Sequence, residues 1–252
     1  VTATTPDRLL AAALTRNPAR PLLTFHDAAT GERTELSVAT FANWVAKTAN
    51  LLLDEVGVAP GERLALRLPV HWQTAVWLQA AWAVGLHVDL VGDQPDLLVV
   101  THADAADAAD AGTVVSLGLA PMGLPRPGAA PKSPDALDYD RSVHAHGDRP
   151  PPPVPVPGPA LTCVDGVHGA ADLVAIATAA PPPPGALLVT AAPADTETVV
   201  ASVLVPLVTD ATAVMLRHAD PTGIDDLVRQ ERIGAACGHT YGNLPAWRAV
   251  PG

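Results

Sequence analysis

Apolar and polar positions follow two rhythms along this chain. After Ser37, the residues Phe41, Trp44, Val45, Leu51 and Leu52 recur with a 3.6-residue period. They predict an amphipathic helix capped by Ser37 and ended by Gly57 and Pro60-Gly61. Ahead of it, Pro6-Asp7 followed by Leu9, Leu10, Ala13 and Leu14 predicts an opening helix that stops at Asn17-Pro18. Short apolar runs at 22–25 and 34–36 flank the turn-forming residues 27–31 and read as a hairpin. Residues 71–84 are apolar on nearly every side, the pattern of a helix buried all round. Compact runs at 63–68, 86–91, 97–100 and 113–117 read as strands, and 104–110 as a short Ala-Asp helix.

From 118 to 159 the periodicity fades. Its last part, RPPPPVPVPGP at 149–159, must be extended polyproline-like chain, read as a linker or an arm laid over the surface. The rhythm then resumes, with strands at 161–164, 186–190, 213–216 and 233–237 and helices at 170–179, 196–207 and 223–231. Strands alternating with short helices imply parallel βαβ units. The expected fold class is therefore α/β, as two layered βαβ lobes. The first lobe is placed at 1–148, the proline-rich linker or arm at 149–159, and the second lobe at 160–252.

Composition and charge narrow the function classes. Aromatic residues make up only 4% of the chain, so Ala, Val and Leu must build the core. A formal net charge of −11 with no basic run argues against nucleic acid and against an anionic membrane surface, since both are held by clustered Lys and Arg. The uncharged stretch 68–88 is long enough to span a bilayer, but His71, Gln73, Gln79 and His87 interrupt it. The run 173–194 is broken by four prolines at 181–184, so neither stretch reads as a membrane span. Cys163 and Cys237 do not make a disulfide scaffold. The opening VTATTPDRLL lacks a basic flank followed by an apolar signal core, and a cytoplasmic protein is expected.

Several phrases occur in a telling order. Glu35-Leu36-Ser37, Phe41, Asn50 and Leu53 precede Gly57-Val58-Ala59-Pro60-Gly61-Glu62-Arg63-Leu64-Ala65-Leu66, and Leu68-Pro69 then leads into a helix ending at Gly85. This order resembles the N-terminal subdomain of adenylate-forming (AMP-binding, acyl-CoA-synthetase-like) enzymes. Glu62 stands where that family usually has Asp, and Val70 where it has Asn. Leu204-Val205-Pro206-Leu207, the strand that follows, and Gln230-Glu231-Arg232-Ile233 are similar to the family's next subdomain. The Ala-, Pro- and Arg-rich composition further resembles a set of truncated relatives from high-GC bacteria.

That resemblance implies a fold and also exposes a deficit. The family joins a carboxylate to the α-phosphate of ATP, which demands charge stabilisation and positioning. Its Ser/Thr/Gly-rich loop ending in Pro-Lys-Gly wraps the phosphates. At the corresponding place this chain reads LTCVDGVHG at 161–169. That stretch offers one hydroxyl (Thr162), two glycines (Gly166, Gly169), an added acid (Asp165) and no lysine. The two lysines are Lys47, on the amphipathic helix, and Lys132, in a Pro131-Lys132-Ser133 tripeptide preceded by Gly128-Ala129-Ala130. No lysine follows position 132, so no lid lysine is expected. Asp195 falls near the family's substrate-pocket segment, with Ala194 where an aromatic is common, and serves equally well as an N-cap. With Thr196, His239 and Tyr241 it makes up the ligand-pocket candidates.

Other constellations compete with plain structural readings. His144-Ala145-His146-Gly147-Asp148 has the spacing of some metal-ligand loops, with His168, His218 and His239 as further donors, but it reads as a solvated loop. Cys237 and His239 suggest a nucleophile pair after a strand, yet Cys237 reads better as a small core residue. Trp72, Trp77 and Trp82 rotate around one helix and fill a core. No catalytic residue, metal ligand or cofactor is assigned. The expected function is a non-catalytic or degenerate relative of AMP-dependent synthetases that binds a small acyl or carboxylate ligand or has a regulatory role. The alternatives are a split or relict acyl-adenylating enzyme that needs a partner, and an interaction module that offers the proline arm to a protein partner.

Overall fold

The computed structural model describes residues 5–108, 111–181, 183–219, 223–238, 241 and 243–249. In chain order its elements begin with α1 (Pro6–Arg16), β1 (Pro21–Asp27), β2 (Glu32–Ser37), α2 (Val38–Leu51), β3 (Arg63–Arg67), α3 (Trp72–Ala83), β4 (His87–Asp89), β5 (Leu97–Thr101) and β6 (Thr113–Leu117). They continue with β7 (Leu137–Asp138), α4 (Tyr139–Ser142), β8 (Leu161–Cys163), β9 (Gly166–His168), α5 (Ala170–Ala179) and β10 (Ala186–Val189). The series closes with α6 (Thr196–Val199), α7 (Val205–Val208), β11 (Ala213–Arg217), α8 (Ile224–Gln230), β12 (Ile233–Cys237) and β13 (Ala246–Trp247).

The strands form two sheets, ordered β13-β12-β10-β11-β1-β2 and β7-β6-β5-β3-β4-β8-β9. Pairing is parallel throughout except in the hairpins β1–β2 and β8–β9. The first sheet belongs to a compact unit made of Val1–Phe41, Pro69–Ala75 and Ala171–Gly252, and the second to one made of Ala42–Leu68 and Val76–Ala170. The α/β class with two parallel-rich sheets is thus as expected.

The expected lobe boundaries at 148 and 160 are corrected by these pairings. β1 pairs in parallel with β11, Thr24 opposite Val214, so the opening hairpin joins strands from the end of the chain. β8, just after the prolines, pairs with β4, Val88 opposite Leu161. Parallel strands need crossovers, so neighbours in sequence can enter different sheets. Residues 149–159 are an arm on the second unit and do not mark the division between units. The Val154 N–H donates to the Ala83 carbonyl (3.3 Å). The Asn50 amide donates to the carbonyls of Gly147 (2.8 Å) and Arg149 (3.0 Å). Gly61 (φ +91°) and Gly85 (φ +81°) take left-handed conformations under the arm, and an added Cβ would stand 3.1 Å from Pro157 and 3.1 Å from Val154 respectively.

Local chemistry explains most elements. Ser37 Oγ accepts from the Thr40 N–H (3.1 Å) and starts α2, and Gly57 at φ +76° stops the π-turn Leu52–Val56 that extends it. Between α6 and α7 the helix widens into a π-turn at Val200–Leu204. Pro206 is the physical reason: it has no N–H, and its ring crowds the carbonyl four residues back. α3 is buried on every face, with Trp72, Trp77 and Trp82 at most 1% exposed. Among the described residues no helix is long and apolar enough to cross a membrane.

Several expected elements shrink and others are added. The strand expected at 86–91 ends at Asp89, whose carboxylate accepts from the N–H groups of Val91 (3.1 Å) and Gly92 (2.9 Å) and turns the chain. The Ala-Asp helix is a single 3₁₀ turn, Ala105–Asp107. β7 and α4 lie inside the aperiodic stretch after 118. There the buried Tyr139 hydroxyl bonds Thr48 Oγ1 (2.7 Å), and Tyr139 packs its ring on Trp77 at 5.2 Å.

Candidate functional site

Of the described candidates, Asp195, Thr196 and Tyr241 follow the carboxyl ends of the parallel strands β10 and β12, where α/β sheets hold ligands. In the second unit the stretch 161–169 forms the β8–β9 hairpin at the edge of the sheet. Thr162 Oγ1 is hydrogen-bonded to His87 Nε2 (2.8 Å), and burial pushes the His87 ring below its ordinary pKa. At the turn, Cys163 Sγ donates to Asp165 Oδ1 (3.1 Å) and to the Gly166 carbonyl (3.5 Å). Cys163, Asp165 and His168 bring three ligand-type atoms within 4.8 Å of one another. An added Cβ at Gly166 would meet His168 Nε2 at 2.7 Å, so the glycine lets that ring fold across the turn. Gly169 links the hairpin to α5. Val164 and Val167 stand 70% and 63% exposed, so the hairpin shows an apolar as well as an acidic face.

In the first unit, Asp195 opens α6. Its Oδ1 accepts from the Thr198 N–H (2.8 Å), and Thr198 Oγ1 in turn accepts from the Asp195 N–H (3.4 Å), a reciprocal cap. The N-cap role is therefore realised. Thr196 is buried in the first turn behind it. Tyr241 bridges to Leu244 and packs beside the cluster of Leu188, Val214 and Leu216. His239 lies outside the described residues. Cys237, at the end of β12, is 3% exposed. Burial, reinforced by the charges of Glu197 and Asp195, pushes its thiol up to about 12. A thiol so protonated at neutral pH is a core residue and a poor nucleophile. Glu197 is held by Arg248 (2.7 Å) and by the Ala249 N–H (3.2 Å).

The His144–His146–Asp148 spacing does not converge on one point. His144 Nε2 bonds the Gly123 carbonyl (2.9 Å), His146 Nε2 bonds Glu55 (3.0 Å), and Asp148 is exposed. Two open clefts lie away from these residues. One of about 780 Å³ opens at the amino ends of β10, β11 and β12, beside Gly185, Asp210 and Arg232. The other, about 510 Å³, lies beside Ala111, Thr113 and Asp135.

Sequence reasoning passed over one grouping, His102 with Asp138 and Asp140. It gathers at the carboxyl ends of β5 and β6, where the short strand β7 meets α4. The signal available was the pair of acids spaced to flank Tyr139, hidden in a stretch without periodicity.

No family model matches the chain. A search of curated proteins finds the TIGR03089 family protein of Mycobacterium tuberculosis, 42% identical over 157 residues, which cover 58% of this chain and 63% of that protein. Among solved structures, the Acyl-CoA Synthetase of Brucella canis matches with a TM-score of 0.74 at 16% identity, over 92% of this chain and 46% of that one. A mutant form of Coronafacic Acid Ligase from Pectobacterium brasiliense matches with a TM-score of 0.71 at 7% identity, over 92% of this chain and 49% of that one. The chain thus spans less than two thirds of each of these relatives. Its fold is that of the N-terminal portion of acyl-CoA synthetases and other adenylate-forming ligases.

Proposed function

We propose that this chain is a ligand-holding relative of the adenylate-forming enzymes that does not itself build an adenylate. The observation that carries the reading is the state of the β8–β9 hairpin. Its single hydroxyl, on Thr162, is engaged by His87, and its tip presents Asp165 in place of a lysine. A triphosphate needs free backbone donors and positive charge around it. This donor set does not fit one: Asp165 would repel the anion, and Lys47 is spent on the His146 carbonyl (2.7 Å). The carboxyl edge of the first sheet, with Asp195, Thr196 and Tyr241, is the place we assign to a small acyl or carboxylate ligand.

The test is direct. With purified chain and a panel of aliphatic and aromatic carboxylates, isotope exchange between pyrophosphate and ATP stays at background. Magnesium-ATP leaves the melting temperature unchanged, and at least one acyl ligand raises it, because binding to the native state stabilises it. Exchange above background by the chain alone, or stabilisation by ATP, defeats the reading. A second reading, a split acyl-adenylating enzyme, draws on the likeness of the fold to that of the solved ligases. It predicts exchange that arises only when a further polypeptide is added.

A further inference from the structure

We infer that His102, Asp138 and Asp140 form a binding site for one divalent metal ion of the Zn2+ type. β5 delivers His102 just past its end, and the His102 N–H is anchored to the Leu117 carbonyl (2.8 Å) at the end of the neighbouring β6. β7 delivers Asp138, and the first turn of α4 delivers Asp140. Three chain segments thus converge at one corner of the second sheet.

His102 and Asp138 are oriented as ligands, and the Asp140 oxygen nearer the ring, Oδ2, also accepts from Gly118 and keeps a second lone pair for an ion. His102 Nδ1 is hydrogen-bonded to Ser116 Oγ (3.0 Å), which leaves Nε2 facing the carboxylates. Imidazole ligands are typically held in this way by a bond at the other nitrogen. Asp140, 2% exposed, accepts the Gly118 N–H at Oδ2 (2.8 Å), and Arg141 holds Asp138 Oδ2 (3.1 Å). The remaining oxygens, Asp138 Oδ1 and Asp140 Oδ1, are buried with no hydrogen-bond partner. Buried carboxylate oxygens rarely go unsatisfied, and each such case calls for a cause.

The distances point to an ion in the gap. His102 Nε2 lies 3.6 Å from Asp138 Oδ1 and 3.8 Å from Asp140 Oδ2, too far for hydrogen bonds. Donor atoms around a tetrahedral zinc with bonds of about 2.0–2.2 Å stand roughly 3.3–3.6 Å apart, which is near this spacing. One imidazole and two carboxylates with an open fourth position is a donor set for a borderline ion; a hard ion prefers oxygens alone. The Cys163–Asp165–His168 turn offers a rival donor set, but Asp165 already accepts from the Cys163 thiol there.

The experiment removes that rival first. In Cys163→Ser protein stripped with EDTA, titration calorimetry with ZnCl2 gives one site per chain with micromolar or tighter affinity, and the melting temperature rises on loading. His102→Gln and Asp140→Asn in the same background each weaken binding at least 100-fold while circular dichroism stays unchanged. If either variant fails to fold, Asp138→Asn takes its place. Absence of stoichiometric zinc in Cys163→Ser, or retention of it in any folded ligand variant, overturns the inference.

Discussion

Two histidine–carboxylate groupings, one in each unit, use the same residue types to opposite ends. In the first unit, Glu231 Oε1 bonds both His26 Nε2 (2.9 Å) and Arg33 Nε (2.9 Å), and Arg33 also reaches Glu35 (2.7 Å). Burial pushes the Glu231 carboxyl up, but the bonds from Arg33 and His26 outweigh it and leave it below its ordinary value. In the second unit, Asp138 and Asp140 face His102 without touching it. Burial pushes the Asp140 carboxyl up, and the Gly118 N–H only partly offsets that. The first grouping is complete as a structural clasp, and the second leaves one oxygen of each carboxylate without a hydrogen-bond partner. A polar cluster is therefore judged by whether each buried atom is satisfied, since composition is the same in both.

The strongest test of this contrast is Gly118→Ala. Its Cβ would sit 2.6 Å from Asp140 Oδ2 and 3.2 Å from the His102 ring. We expect a loss of about 1–3 kcal/mol in urea unfolding together with loss of zinc binding. A stable variant that still binds zinc would show the cluster to be loose. Next, Glu231→Gln should cost about 1–2 kcal/mol at neutral pH by leaving His26 and Arg33 poorly paired. Because the folded-state pKa of Glu231 is depressed, its contribution is present above the ordinary carboxylate value of about 4.3 and is lost as pH falls through the lower folded value. The gap between wild type and variant should therefore close on acidification, and a gap independent of pH would refute the assignment.

Tyr139→Phe sharpens the comparison with an uncharged, satisfied pair. Thr48 Oγ1 keeps its bond to the Trp44 carbonyl (2.9 Å), so the loss should be near 1 kcal/mol by chemical denaturation. The smallest effect belongs to Asp140→Asn in EDTA. An amide can still accept from Gly118 and relieves an unpaired buried charge, so stability should hold within about 0.5 kcal/mol or rise. A large loss there would mean that the carboxylate is already satisfied in the metal-free protein.

Much of the fold was legible from periodicity. The helices at Pro6–Arg16, Val38–Leu51 and Trp72–Ala83, and the strands at Arg63–Arg67, Leu97–Thr101 and Thr113–Leu117, follow runs long enough to set their own period. β7 and β13 escaped because strands of two residues carry no period and exist through the neighbour they pair with, as β9 does through β8. Of the candidate site, Asp195 was readable as a cap because its partner Thr198 is three residues away. His102 and Asp140 were not, because their proximity depends on which strands lie side by side.

Local order along the chain was enough to set the helices, the α/β alternation, the acid at Asp165 and the lack of lysine around it, since each depends on residues within a few positions of one another. Sheet membership required the assembled molecule: β1 beside β11, β8 beside β4, and the proline arm laid on Gly61 and Gly85. So did the meeting of an imidazole with two carboxylates. Parallel pairing joins segments across long crossovers, and no local pattern encodes which strand will be the neighbour.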